Sequence, residues 1–187
     1  MDHEIIDSRW LLKDDFLSWT VNGIKVDPAT RTRREEYTWA LAQTSGSLIL
    51  DAATGYVPTW HMFPYIATNL PIPRTVIACD ADARQQQMPP HPAVVRMYSN
   101  LVCLPYLDAQ FDTVCCISTL EHLEPAERMA SAKELLRVCK PGGRMVLTAD
   151  LAPWLPTLWG LPHGADAPDQ PALSPPVYAL SFIKAAS

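Results

Sequence analysis

Between residues 47 and 150 the chain alternates two kinds of segment, and this alternation limits its fold more than any other feature. Five short apolar runs stand out: 48–51 (LILD), 75–80 (TVIACD), 93–97 (AVVRM), 112–118 (DTVCCIS) and 144–149 (RMVLTA). Uninterrupted apolar runs of this length suit strands covered on both faces, as in a parallel sheet. Segments with helical spacing separate them. The clearest lies before the last run, where Pro125 takes a position tolerated in the first turn of a helix. Met129, Ala132, Leu136 and Cys139 then recur at three or four residues and predict one buried stripe. Lys140-Pro141-Gly142-Gly143 stops the helix. Strands alternating with helices predict an α/β fold: a doubly wound, Rossmann-like, mostly parallel sheet with helices on both faces.

The flanks are less regular. Residues 31–44 (RTRREEYTWALAQT) predict a helix with Tyr37, Ala40, Leu41 and Thr44 on one face. Residues 1–30 mix apolar anchors with charges and predict one short helix and a turn at Asp27-Pro28. At the other end, five of the 18 prolines fall between Pro153 and Pro171, and Pro175 and Pro176 follow. That stretch excludes a long helix or a central strand and leaves VYALSFIKAA as one terminal strand. The expected organisation is a single domain, 1–187: a helical extension to 44, a cofactor-binding core over 45–150, and a shortened C-terminal part.

The chain has 187 residues, 48% hydrophobic and 19% charged, enough apolar surface for an ordinary core. A net charge of −5 argues against general binding to nucleic acid or anionic membrane. No apolar run reaches the ~20 residues of a membrane span, and MDHEIIDSRW lacks the apolar segment of a secretory signal. The five cysteines are odd in number and form no C-x-x-C pair, so neither a disulfide framework nor a metal site is expected. A reducing, cytoplasmic setting follows.

Ligands of such sheets bind at the carboxyl ends of the strands. Three of these ends carry polar residues. Asp51 ends the first run and enters the loop AATGYVP, Asp80 ends the second, and Ser118 and Thr119 end the fourth, followed by Leu120, Glu121 and His122. The loop holds a single glycine, Gly55, and lacks the G-x-G-x-x-G of dinucleotide sites. A nicotinamide-dependent dehydrogenase is disfavoured on that ground. Asp80 stands somewhat beyond the roughly 20 residues usual between such a loop and the acid that grips a ribose.

LPYLDAQFDTV, STLEHL and RVCKPGGRMVL occur in this order at ordinary spacing. Together they resemble class I S-adenosylmethionine-dependent methyltransferases, especially the small-molecule group that includes quinone-biosynthesis enzymes. The resemblance spans residues 45 to 150. It implies that Asp51 and the backbone from Ala52 through Ala53 to Gly55 hold the amino-acid end of S-adenosylmethionine. It also implies that Asp80 accepts both ribose hydroxyls and that Ala81 lies against the adenine. Asn100 and Leu101 would read the adenine edge, and Ser118 would offer a carbonyl to the ammonium. Ala53 replaces the family's glycine, which is tolerable because S-adenosylmethionine has no pyrophosphate to cradle. A complete enzyme of this kind continues with a helix, a sixth strand and an antiparallel seventh, for which residues 151–187 are too few. A missing strand, or a homodimer that completes the sheet, follows from that shortfall.

Methyl transfer needs an acceptor held in line and kept dry, and a base only where the acceptor carries a proton that must leave. His122 is the candidate base, since imidazole titrates near neutral pH. The alternative is that His122 begins the next helix and packs. Trp154 and Trp159 line an apolar substrate pocket or cover a sheet edge. His61 and His91 are read as exposed, and Met62, Phe63 and Tyr65 as core or lid. Two functional classes result: a methyltransferase acting on a small-molecule acceptor, or a methyltransferase-like module that binds the cofactor or a partner protein without catalysis.

Overall fold

A computed structural model describes residues 3–11, 19–21, 24–26, 31–55, 73–88, 90–165 and 177–186. All five apolar runs form strands of one sheet. In chain order they are β4 (Leu48–Ala52), β5 (Thr75–Asp80), β6 (Val94–Tyr98), β7 (Phe111–Ile117) and β8 (Cys139–Asp150). They are joined by β1 (Glu4–Leu11) and β9 (Val177–Ile183) in the order β1-β9-β8-β7-β4-β5-β6. The five central strands are mutually parallel. β9 runs antiparallel to β8, and β1 antiparallel to β9. A separate two-stranded ribbon pairs β2 (Trp19–Val21) with β3 (Ile24–Val26). Among the described residues the α-helices are α1 (Arg31–Gln43) and α2 (Pro125–Val138).

Successive strand residues point to opposite faces, and the core divides accordingly. Ile49, Val76, Cys115, Val146 and Ala179 pack with Tyr37, Trp39 and Ala40 of α1 on one face. Leu50, Cys79, Cys116, Leu147 and Leu180 pack with Ala132, Leu135 and Val138 of α2 on the other. Both faces are covered, which is why the strand runs are apolar throughout rather than alternating. Cys79, Cys115, Cys116 and Cys139 are buried free thiols that act as small core residues. Burial holds the Cys115 and Cys116 thiols well above their ordinary titration range.

Two polar residues tie the sheet's lower edge. Asp112 accepts the amides of Ser47 and Leu48 at 2.9 Å each and pairs with Lys140 at 2.5 Å. Gly46 has φ +73°, and a Cβ there would stand 2.2 Å from Asp112 Cβ, so only glycine fits the turn. Arg137 binds the carbonyls of Leu104 and Tyr106 and the carboxylates of Glu134 and Asp108, and Glu134 accepts the Leu104 amide. The conspicuous RVCKPGG segment therefore fastens α2 to the loop before β7.

Three expectations change. The segment at 1–30 expected to be a short helix holds a strand, β1, whose partner β9 lies some 170 residues away. β1 fills the outer position that the shortened C-terminal part leaves open, so the sheet gains its seventh strand from its own chain and needs no second subunit to complete it. The buried stripe of α2 is Ser131, Ala132, Leu135 and Val138, whereas Met129 is 44% exposed and Cys139 begins β8. Two stripes of the same period, rotated by one residue, are equally compatible with the spacing; packing against β7 and β8 selects one. Finally, Lys140–Gly143 does end the helix but also belongs to β8. A Cβ on Gly143 would come within 2.8 Å of the Lys140 carbonyl and 3.0 Å of the Asp112 carbonyl, a close backbone approach that explains the glycine.

Candidate functional site

A cleft of about 380 Å³ opens at the carboxyl ends of β4, β5, β6 and β7, within the usual range of roughly 300–1,000 Å³ for ligand sites. Asp51 contributes from the end of β4 and is 3% exposed. The chain then turns through Ala53 at φ 63° and Gly55 at φ 76°, both in the left-handed region. Two bonds fix this turn to β5: the Thr54 amide to the Cys79 carbonyl at 3.0 Å, and the Gly55 amide to Asp80 Oδ2 at 2.8 Å. Asp80 Oδ1 accepts the Asp82 amide at 2.8 Å. Each carboxylate oxygen of Asp80 so carries one backbone donor and keeps acceptor capacity for a ligand.

From β6, Ser99, Asn100 and Leu101 line the next stretch of wall. Asn100 Oδ1 accepts the Val102 amide at 3.1 Å in a local turn, which leaves its amide nitrogen and one remaining lone pair available. At the end of β7, Ser118 has φ 43°. Its amide donates to the Thr148 carbonyl and to Thr148 Oγ1, both at 3.0 Å, and its hydroxyl donates to Glu36. The carbonyl is what Ser118 then has to offer a ligand.

His122 is exposed at the rim of the cleft. It ends a separate 3₁₀ turn, Leu120–His122, and not the first turn of α2. Arg128 holds this turn by donating to the Leu120 carbonyl at 3.0 Å and the Leu123 carbonyl at 2.9 Å, with its guanidinium 4.2 Å from the Trp154 ring centre. Glu121 accepts the Asp150 amide at 2.9 Å, and burial raises its carboxyl above the ordinary range.

Nine of the ten residues anticipated from sequence line this cleft: Asp51, Ala53, Gly55, Asp80, Ala81, Asn100, Leu101, Ser118 and His122. Ala52 does not; it is fully buried in β4, with its side chain in the core. Trp154 and Trp159 do not line it either. Trp159 packs on Phe182 and donates to the Ala132 carbonyl at 3.1 Å, and Trp154 is covered by Arg128. His91 is half-buried in a loop turn, its Nδ1 accepting the Ala93 amide. His61, Met62, Phe63 and Tyr65 lie outside the described residues. The sequence reading missed Tyr37, Asp82 and Ser99 in the wall, and Glu36 behind it, whereas Thr54 falls within the Ala52–Gly55 backbone stretch that it assigns to the site. For Tyr37 a signal existed, since the spacing places it with Ala40, Leu41 and Thr44 on one face of the helix; nothing local says that this face reaches the strand ends.

The wall's charge is one-sided. Asp51, Asp80 and Asp82 line it, and no Lys or Arg does among the described residues. Asp82 is paired with Arg84, so the acidic character of the wall rests on Asp51 and Asp80, which a pyrophosphate would find repulsive. A ligand carrying positive charge and donating hydroxyls matches these carboxylate acceptors.

The family model for a methyltransferase domain matches residues 53–147, half of the chain. The chain belongs to the methyltransferase-domain family. No curated protein matches it in sequence. Among solved structures it is similar to a chain of the Haloferax volcanii complex between the Trm112 methyltransferase activator and a methyltransferase, at 11% identity and a TM-score of 0.62, with 83% of this chain and 91% of that one covered. A Pyrococcus horikoshii protein gives 18% identity and a TM-score of 0.60 over 85% and 94%. The YcgJ protein of Bacillus subtilis gives 21% and 0.53 over 67% and 54%. At these identities the likenesses establish the Rossmann-like methyltransferase fold. The chain spans nearly the whole of the two archaeal proteins but about half of the bacterial one. No helix among the described residues is long and apolar enough to cross a membrane.

Proposed function

We propose that this chain is a methyltransferase that draws on S-adenosylmethionine and acts on a small, uncharged or apolar acceptor. The single observation that carries the reading is the acidic cleft, lined by no Lys or Arg among the described residues, with Asp80 at the end of β5. When bound, S-adenosylmethionine supplies an electrophilic methyl group on a positively charged sulfur. Asp80 accepts the ribose hydroxyls with the lone pairs its two backbone bonds leave free. Ala81 and Leu101 give apolar contact to the adenine, and Asn100 bonds its edge. Asp51, the backbone of Ala53 and Gly55 and the Ser118 carbonyl hold the amino-acid end. His122, at the rim, takes the proton where the acceptor must lose one. A cytoplasmic location accords with the four buried free thiols.

The direct test is calorimetry of the purified protein with S-adenosylhomocysteine, together with mass spectrometry of any co-purified ligand. Saturable binding is expected, and its absence in folded protein overturns the cofactor assignment. Turnover with labelled S-adenosylmethionine against phenols, quinol-like rings, thiols and amines then separates an enzyme from a non-catalytic binding module. The module reading draws support from the Haloferax volcanii chain, which is found bound to an activator protein. Binding without turnover across that screen favours it.

A further inference from the structure

Glu36 lies outside the residues matched by the family model, is 1% exposed, and sits on α1 behind the cleft wall. It receives two hydroxyl bonds on one oxygen: from Ser118 Oγ, at the end of β7, and from Thr148 Oγ1, in β8, at 2.8 Å. Thr148 Oγ1 in turn accepts the Ser118 amide at 3.0 Å. The three residues form a closed triangle linking α1 to two adjacent strand ends. A carboxylate kept out of water is costly to hold, and its hydroxyl partners repay part of that cost. Ser118 is the strained corner, at φ 43° in a residue with a β-carbon. Released from the triangle, it would relax toward an ordinary conformation and turn its carbonyl with it.

We propose that Glu36 is a positioning residue for the cofactor site, acting through Ser118. It holds the Ser118 backbone in the left-handed conformation, so that the carbonyl stays available to the positively charged end of the ligand. This rests on the proposed function, because the ligand whose affinity changes is the cofactor. The Ser118 amide also donates to the Thr148 carbonyl at 3.0 Å; on this proposal that backbone bond alone does not suffice, and an acceptor at Glu36 Oε1 and a donor at Ser118 Oγ are needed as well. The conformation does not require the negative charge.

The test is a binding cycle with S-adenosylhomocysteine, read by calorimetry, with urea unfolding of each protein alongside. Wild-type protein is measured first: no binding there overturns the cofactor reading itself, apart from the role of Glu36. With wild-type binding in hand, Glu36→Ala is expected to weaken affinity about 10- to 30-fold. Glu36→Gln keeps the acceptor oxygen and is expected to stay within about 3-fold of wild type. Ser118→Ala is expected to match Glu36→Ala, and the double variant to lose little more than either single one. Wild-type affinity in folded Glu36→Ala or Ser118→Ala overturns the proposal, as do losses that add fully in the double variant. Should Glu36→Ala fail to fold, Ser118→Ala and Glu36→Gln decide the matter: normal affinity in Ser118→Ala, or a Glu36→Gln loss of 10-fold or more, rejects it.

Discussion

The half of the sheet from β4 to β6 and the half from β8 to β1 follow different rules. In the first, every strand is parallel, neighbours are close in sequence, and the strand ends carry Asp51, Asp80 and Asn100 into the cleft. In the second, β8 hands over to an antiparallel β9, and the outer strand comes from the far end of the chain. Its residues, among them Leu147, Tyr178, Leu180 and Phe182, are core and do not line this cleft. One half lines the proposed ligand cleft and the other contributes core packing. Substitutions in the two halves are therefore expected to separate affinity from stability.

Phe182→Ala in β9 carries the largest expected effect. The side chain is fully buried against Trp159, and its removal should cost about 3–5 kcal/mol in urea unfolding, with cofactor affinity of the folded fraction unchanged. A selective loss of affinity would break the division between the halves. Arg137→Ala comes next, at roughly 2–4 kcal/mol, since it removes charge-assisted bonds to Glu134 and Asp108 and leaves two carbonyls unpaired.

The Arg137 bond holds the Glu134 carboxyl below its usual range. A lowered carboxyl value means that this stabilisation is full above the unfolded value of about 4.3 and is lost as pH falls through the folded one. Glu134→Gln should accordingly be less stable than wild type at pH 7, and the gap should close in acid. A gap that persists at pH 3 would show that the charge is immaterial.

Asp80→Ala belongs to the other half. It should weaken S-adenosylhomocysteine binding by about 1.5–3 kcal/mol, with a smaller stability loss of about 1 kcal/mol from the freed Gly55 and Asp82 amides. Unchanged affinity by calorimetry would remove Asp80 from the ligand site. The smallest effect is a gain. Ala53 sits at φ 63°, where a β-carbon costs roughly 1–2 kcal/mol, so Ala53→Gly should stabilise by about 1 kcal/mol and keep or improve binding. A net loss would mean that its methyl, which packs against the core, matters more than the strain.

The strands and the cleft's acidic positions were legible because each rests on neighbours in sequence. A run such as TVIACD is covered on both faces and ends in Asp80, the polar residue that lines the cleft. The glycine loop was legible too, and the structure adds the reason its first glycine is normally a glycine: Ala53 occupies the left-handed region. β1 was not legible. EIIDSRWL has no strict alternation, and it becomes a strand only because β9 exposes an unpaired edge beside it. Glu36 was invisible for a similar reason. A glutamate in RTRREEYTWA reads as solvated surface, and only the docking of α1 against β8 and β9 brings it to Ser118 and Thr148. The sequence by itself determined what depends on short-range periodicity and on the backbone needs of single residues: the parallel core, the helix ends, the positions of Asp51, Asp80 and Ser118. Tertiary structure alone decided which distant segment closes the sheet and which buried polar groups find one another. Those outcomes depend on pairing energies between residues a hundred or more positions apart, and no local pattern carries them.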